Sequence, residues 1–500
     1  MVPVALTALA LAATAPGFGN QFVQDDLPLI LKNETIHSLA RPQKFFTTPY
    51  WHDPFPPALY RPLATTALAV QWTAGGGSPA VYRWVSTALL AGAAIALFEL
   101  AALLLPLAAA AAVSGLFVVH PVHVEATALG VNQGELAVVL LLCWATAWYI
   151  RIRRKGDPVP AEAGGLVLLF AAAGLFKEHA LVFPGILIAA DLLLIRDPRP
   201  TRVRLARLRP LYLMLILVAL TIVAARSAVL GGDLVGTFSA DGLAGSGPIR
   251  RAITMTGVVP EWARLLFWPA HLQADYGPDE LVSASGWGLM QWVGAGLLAV
   301  SLILLLACRR RLPVLAFGLC WIAVAIFPVS NVLVPTGIIL AERTLVLASA
   351  GAMLGIGALV SVAWRAGAQR WITATLVGIL VVLGALRTRS RDLVWHDQGT
   401  LLRETVLDAP RSYAAHLALA RFLEDSGSAG DAARAYRNAV AIRPSLVGRD
   451  RALADEYRRA GLCRPAVRLY RRALIIVPDD SAMRAALMAC GDSGSSPPVR

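Results

Sequence analysis

LAVVLLLCWATAWYI (136–150) runs without a charge into RIRRK (151–155). An apolar run of this kind that stops at a block of cations reads as a membrane-spanning helix ending on the cytoplasmic side, because flanking Lys and Arg set orientation. Working outward from that anchor, the cluster His120 to Glu125 falls on the opposite, external side. Gly164 to Phe176 returns outward to Lys177-Glu178-His179. Leu181 to Ile195 goes back in to Arg196–Arg209, which holds six arginines. Leu211 to Ala225 goes out to a Gly-rich loop, 231–247. Trp287 to Ala307 goes in to Arg309–Arg311, Leu315 to Pro328 out, Thr344 to Ala363 in, and Ile372 to Ala385 out. Toward the start, Val81 to Leu105 and Leu107 to Val119 form a hairpin at Pro106, and Met1 to Phe18 is a first span. It lacks the basic stretch that opens a signal peptide. Eleven spans are expected, with the N-terminus inside and the tail outside. Leu59 to Trp72 and Val258 to Pro269 are expected to lie at the interface, since Arg61, Gln71, Glu261 and Arg264 fit hydrocarbon poorly.

Composition agrees. The chain has 500 residues, 57% hydrophobic and 15% charged, where soluble domains carry about 25% charged residues. The net charge of +13 comes from basic clusters that flank apolar runs. The expected partner is therefore the lipid bilayer and not nucleic acid. The five cysteines show no metal-type spacing, and Cys463 and Cys490, far apart in the tail, are expected to stay unpaired.

The tail repeats. Pro410, Pro444 and Pro478 are 34 residues apart, as are Gly427 and Gly461, Tyr436 and Tyr470, and Ala439 and Ala473. That period with those residue types is the tetratricopeptide signature, a stack of helix pairs. The expected fold is all-α: a membrane domain over 1–386, a junction over 387–409, repeats over 410–490 and a disordered end over 491–500.

The candidate chemistry lies in a polar loop, 20–63, and in the clusters on its side of the membrane. Asp25-Asp26 reads either as a solvated loop start or as a catalytic pair, one carboxylate deprotonating a hydroxyl while the other orients it or holds a divalent cation such as Mg²⁺ or Mn²⁺. Tyr60-Arg61-Pro62-Leu63 reads as an interface anchor, or Arg61 as a fork donor to phosphate. His120, His123 and Glu125 lack the helical spacing of a zinc site and are better read as organising the helix ends. Lys177-Glu178-His179 reads as an internal ion pair, or Lys177 as a point charge for phosphate. Glu342-Arg343 reads as a buried pair, or Arg343 as a phosphate contact. No Gly-rich nucleotide loop occurs, which disfavours a soluble nucleotide donor.

In their order along the chain, Asp25-Asp26, Tyr60-Arg61-Pro62-Leu63, His120-Pro121-Val122-His123-Val124-Glu125-Ala126, Lys177-Glu178, Ala341-Glu342-Arg343 with Ser349, and the repeats resemble the transmembrane and tetratricopeptide-repeat O-mannosyltransferases and their bacterial relatives, within the C-type glycosyltransferase superfamily. Trp395-His396-Asp397 ahead of Pro410 looks like that family's junction. Gln24, where relatives tend to have Trp, and Thr344-Leu345-Val346 depart from its pattern. The resemblance implies a glycosyltransferase moving a sugar, usually mannose, from a polyprenyl-phosphate donor to a hydroxyl acceptor such as protein Ser or Thr on the non-cytoplasmic side of a bacterial inner membrane. It also implies an acidic catalytic residue in the first external loop, which points to Asp25 or Asp26. On that reading, Arg61, Lys177 and Arg343 are expected to stabilise the departing phosphate, and Tyr60, His120, His123, Glu125, Glu178 and Glu342 to organise the site. The repeats would take a polypeptide acceptor. The competing expectation is a non-catalytic scaffold that recruits envelope partners through the repeats.

Overall fold

The computed structural model describes residues 1–51, 55–232, 240, 242–243, 245–277, 279–281, 284, 286–365 and 370–492. His52, Asp53, most of the Gly-rich loop and residues 493–500 of the end expected to be disordered lie outside them, while 491 and 492, expected to be disordered, close the last helix. The described residues are helical and form no strand; an isolated antiparallel bridge joins Trp51 and Ala58. They divide into two units, one over 1–274 and 282–398, the other over 275–281 and 399 onward.

In the first unit, α1 (Val2–Thr14) leads into the polar loop, which ends at α2 (Pro62–Gly75). Then come α3 (Pro79–Leu104), α4 (Leu107–Val118), α5 (Gln133–Lys155), α6 (Pro160–Phe176), α7 (Phe183–Leu193), α8 (Thr201–Val229), α9 (Pro248–Phe267), α10 (Leu289–Cys308), α11 (Pro313–Ile326), α12 (Val346–Arg365) and α13 (Arg370–Val394). Helices α2, α3, α6 and α11 open on proline, where its missing N–H costs nothing and its fixed φ suits the first turn. All eleven expected spans are helices. Seven are long and apolar enough to cross a membrane, or eight if the bent pair Leu107–Val118 and Pro121–Ala128 is one span. The others are short: α6, α7 and α11 are 17, 11 and 14 residues.

Two expectations need correcting here. Helix α8 begins at Thr201, not Leu211, and carries Arg202, Arg204, Arg207 and Arg209 through Pro210. The basic stretch is also less free than a marker of orientation suggests. Arg153 binds Asp157 at 2.6 Å, Asp191 at 2.8 Å and Asp197 at 3.1 Å. Arg199 binds Asp157 and Asp197, and Arg204 binds Asp191. Arginine and aspartate here form a network tying the ends of α5, α7 and α8.

Small residues set a close helix crossing. A Cβ on Gly318 of α11 would lie 2.5 Å from the Gly351 carbonyl of α12, and one on Gly351 would lie 2.8 Å from the Gly318 carbonyl. In hydrocarbon, where no hydrophobic force drives helices together, such close backbone approach supplies the packing. Helix α10 leaves Leu289, Trp292, Leu298, Leu302 and Leu306 exposed, an apolar surface suited to lipid.

The second unit holds α14 (Gln398–Asp408) from Gly399 onward, α15 (Tyr413–Asp425), α16 (Ala429–Ile442), α17 (Ser445–Arg459), α18 (Cys463–Leu474) and α19 (Ser481–Asp492). The repeat residues sit where the period needs them. Gly427 and Gly461 turn between paired helices at φ +82° and +74°, the left-handed region that favours glycine. Ala439 and Ala473 are fully buried, and the Tyr436 hydroxyl donates to Asp450 at 2.8 Å. Cys463 and Cys490 form a disulfide, against expectation. They are 27 residues apart in sequence, but the packing of α18 on α19 brings their Cα atoms to 5.1 Å. The segment 275–281 is also part of this unit. Asp279 pairs with Arg443 at 3.3 Å, Arg443 stacks on the Tyr413 ring at 3.7 Å, and Glu280 accepts the Arg411 N–H at 2.7 Å.

Candidate functional site

The polar loop turns back on the helices at Asp26. This carboxylate is fully buried, and its hydrogen-bond partners are N–H groups. Arg83 of α3 reaches Oδ2 with both terminal nitrogens at 3.3 Å, Gly130 N–H donates to Oδ2 at 3.1 Å, and Val131 N–H donates to Oδ1 at 3.0 Å. Arg83 also donates to the Gln21 carbonyl at 2.7 Å. Gly130 must be small for this contact: a Cβ there would lie 2.9 Å from both Ile30 and Tyr82. Asp26 therefore fixes the loop to α3 and to the turn before α5.

The remaining charges are sorted pairwise. Arg61 grips Glu178 as a fork, Nε to Oε2 at 2.9 Å and Nη2 to Oε1 at 2.6 Å, with its guanidinium 5.3 Å from the Tyr50 ring centre. Burial alone would raise the Glu178 carboxyl, but Arg61 and Lys177 hold it well below the usual carboxylate range. Lys177 binds Glu135 at 2.7 Å, and His179 faces the same carboxylate at 3.2 Å and the Ala325 carbonyl at 2.7 Å. Arg343 pairs with Glu125, whose Oε2 also accepts the Arg343 backbone N–H at 2.8 Å. The expected Glu342-Arg343 pair is therefore replaced: neighbours in sequence point to different partners, and Glu342 accepts the Gln273 N–H at 2.7 Å. His123 meets Ser349 at 2.9 Å and His120 meets the Leu266 carbonyl at 3.1 Å, so both tie helix ends together. Tyr60 is buried in the wall.

Asp25 stands apart from this pairing. Among the described residues its carboxylate has no direct hydrogen bond or ion pair, although it lies within the electrostatic reach of Arg343, Glu125, Arg61 and Lys177. Burial pushes its carboxyl above the ordinary range; Arg343 pulls it back, Glu125 adds to the rise, and Arg61 and Lys177 oppose it. The two adjacent carboxylates thus differ: Asp26 is held by structural N–H donors, while Asp25 lies within the electrostatic reach of cations that already have carboxylate partners yet keep spare N–H donors. This donor set does not fit a cation shared by both, because the Asp26 oxygens are taken by N–H groups of Arg83, Gly130 and Val131.

The structure gathers Asp25, Arg61, Glu125, Lys177, Glu178 and Arg343 from loops far apart in sequence. It adds two residues that sequence reasoning passed over, Arg83 and Glu135. Each was discoverable as an ionisable residue at the edge of an apolar run, a placement that is costly without a partner.

No family model and no solved structure matches the chain. Curated relatives do. The mouse protein named Protein O-mannosyl-transferase TMTC3 is 22% identical over 91% of this chain and 53% of its own length. The Caenorhabditis elegans Protein O-mannosyl-transferase F38B6.6 is 24% identical over 85% of this chain and 60% of its own. The human Protein O-mannosyl-transferase TMTC4 is 24% identical over 86% and 64%. The chain spans about half the length of the TMTC3 proteins it matches, and the likeness runs from the membrane helices into the repeats. Over most of its length, the chain is thus similar to proteins named protein O-mannosyl-transferases.

Proposed function

We propose that this protein is an integral-membrane glycosyltransferase that moves mannose from a polyprenyl-phosphate donor to Ser or Thr hydroxyls of proteins, with the loop 20–63 and the repeats on the non-cytoplasmic side. The observation that carries this is the Asp25 carboxylate, which among the described residues has no direct hydrogen bond or ion pair and lies within the electrostatic reach of Arg61, Lys177 and Arg343. Asp25 takes the proton of the attacking hydroxyl as its oxygen bonds the anomeric carbon from the face opposite the leaving group. The bond from that carbon to the phosphate oxygen breaks, and the electron pair leaves on the phosphate. Lys177 and Arg343, and the free edge of Arg61, meet the charge that develops there. Their carboxylate partners Glu135, Glu125 and Glu178 hold them in place beforehand, so little reorganisation is needed at the moment of reaction. The names of the relatives support the activity. The lack of a nucleotide-binding loop supports a lipid-linked donor.

The test is transfer by purified protein in lipid nanodiscs, offered mannosyl-phospho-polyprenol or a nucleotide-linked mannose with a Ser/Thr peptide, read by mass spectrometry. Hexose on the peptide from the lipid donor alone is expected. Transfer from the nucleotide sugar alone would overturn the donor assignment, and no transfer from either, with a phenotype on deleting the repeats, would leave a scaffold.

The same site sets a pH dependence. A base works when deprotonated, so the rate falls as pH drops through the Asp25 pKa. Arg343 is the largest influence lowering that pKa. Replacing it, as in Arg343→Gln, is expected to move the acid limb of kcat/KM to higher pH, and by more than Lys177→Gln does. A limb that stays in place or moves to lower pH would show that Asp25 is not the titrating base.

A further inference from the structure

The residues leading into Asp25 are held by the far end of the same unit. Gln21 N–H donates to the His396 carbonyl at 2.8 Å, and the Asn20 side chain donates to the Asp392 carbonyl at 2.9 Å. A Cβ on Gly17 would lie 2.7 Å from an Asp392 carboxylate oxygen, so even the turn before the loop is pressed against this junction. The last of these contacts is the backbone N–H of Gln24, which donates to the Gln398 side-chain oxygen at 2.8 Å. Gln24 is also left-handed, at φ +46°, a conformation a side chain other than glycine holds only when its surroundings enforce it.

These facts have one geometric consequence. On its C-terminal side Asp25 is pinned, because Asp26 is anchored by Arg83, Gly130 and Val131. On its N-terminal side the adjoining link is the strained Gln24 peptide, whose N–H is met by Gln398. Among the described residues the Asp25 carboxylate has no direct hydrogen bond or ion pair to orient it. Its direction is set by the backbone, and the backbone turn is held by Gln398.

We infer that Gln398 is a positioning residue for Asp25: by capping the left-handed Gln24 N–H it holds the carboxylate toward the cations, so the junction 392–398 is a working part of the catalytic site. The mechanistic half of this rests on the reaction proposed above; the conformational half does not. Without the cap, Gln24 relaxes to negative φ and swings Asp25 away. Misplacement of a reacting group by about 1 Å can cost on the order of a hundredfold in rate.

Two measurements on the full chain in nanodiscs test this. By hydrogen–deuterium exchange of the segment 20–27, Gln398→Ala is expected to speed exchange of the Gln24 amide at least about tenfold, and Gln398→Glu, which keeps the acceptor, to leave it protected. In transfer assays Gln398→Ala is expected to lower kcat about tenfold or more with the donor KM unchanged. Gln398→Glu retains the rate. Adding Gln24→Gly to Gln398→Ala recovers part of the lost kcat, because glycine holds the left-handed turn without enforcement; a packing role for Gln398 would give no such rescue. Unchanged exchange in Gln398→Ala overturns the inference. So does lost kcat that Gln24→Gly leaves unrescued. Faster exchange in a protein whose wild type transfers no sugar upholds the positioning and defeats the reaction instead.

Discussion

Asp25→Asn is expected to abolish mannose transfer while leaving the protein folded. Removing a general base typically costs 10²–10⁴-fold, roughly, in rate. The upper end is expected here, because the neighbouring carboxylates among the described residues are already held. Asp26 is adjacent but sealed, with Arg83 and the backbone N–H groups of Gly130 and Val131 on its oxygens. Glu125, Glu135 and Glu178 are each held by a cation. Folding is expected to be spared because, among the described residues, the Asp25 carboxylate makes no direct hydrogen bond or ion pair that the amide could lose, and burial already disfavours its charged form. Glycopeptides and thermal unfolding of the purified variant, both against wild type at matched expression, check the two halves. Full activity in Asp25→Asn would remove Asp25 from the chemistry. A collapse in melting temperature would assign it a structural role instead.

The division of labour between Asp25 and Asp26 could not be read from the sequence, and the reason is physical. Two neighbouring carboxylates look alike until the chain is folded, and what separates them lies elsewhere: Arg83 and the Gly130–Val131 turn are 57 to 105 residues away. The same holds for the cations. Arg61, Lys177 and Arg343 were visible as ionisable residues at the ends of apolar runs, but their partners were not. Glu342-Arg343 was read as a pair because the residues are adjacent, although adjacent side chains diverge, and Glu125 took Arg343 instead. By contrast the apolar runs and the 34-residue period are local and periodic, and each appears as a helix or helix pair. The Cys463–Cys490 disulfide was missed for the same reason as Arg83: it depends on which helices pack together, a long-range fact.

The largest effect on stability is expected at Arg83. Arg83→Met keeps most of the side-chain volume and removes the guanidinium that meets Asp26 and the Gln21 carbonyl. It leaves a fully buried carboxylate with two backbone N–H donors and no countercharge. Breaking a buried pair from one side costs about 3–5 kcal/mol, because the remaining charge cannot reach water. That is a large share of the about 5–15 kcal/mol that holds a typical domain folded. The variant is therefore expected to lose most of its folded yield from membranes, with a lower melting temperature in what remains. Adding Asp26→Asn should restore part of it: the neutral amide needs no countercharge, and its oxygen still accepts one of the two N–H groups. The recovery is expected to be incomplete, because an amide has one acceptor where the carboxylate has two and its NH₂ would face the Gly130 or Val131 N–H. A double-mutant cycle on melting temperature and yield measures this directly. Arg83→Met and Asp26→Asn that each cost little and simply add would show that the buried pair does not anchor the loop. The folded double variant would also separate the two aspartates by function, since it keeps Asp25 and the cations around it and is expected to retain transfer where Asp25→Asn has none.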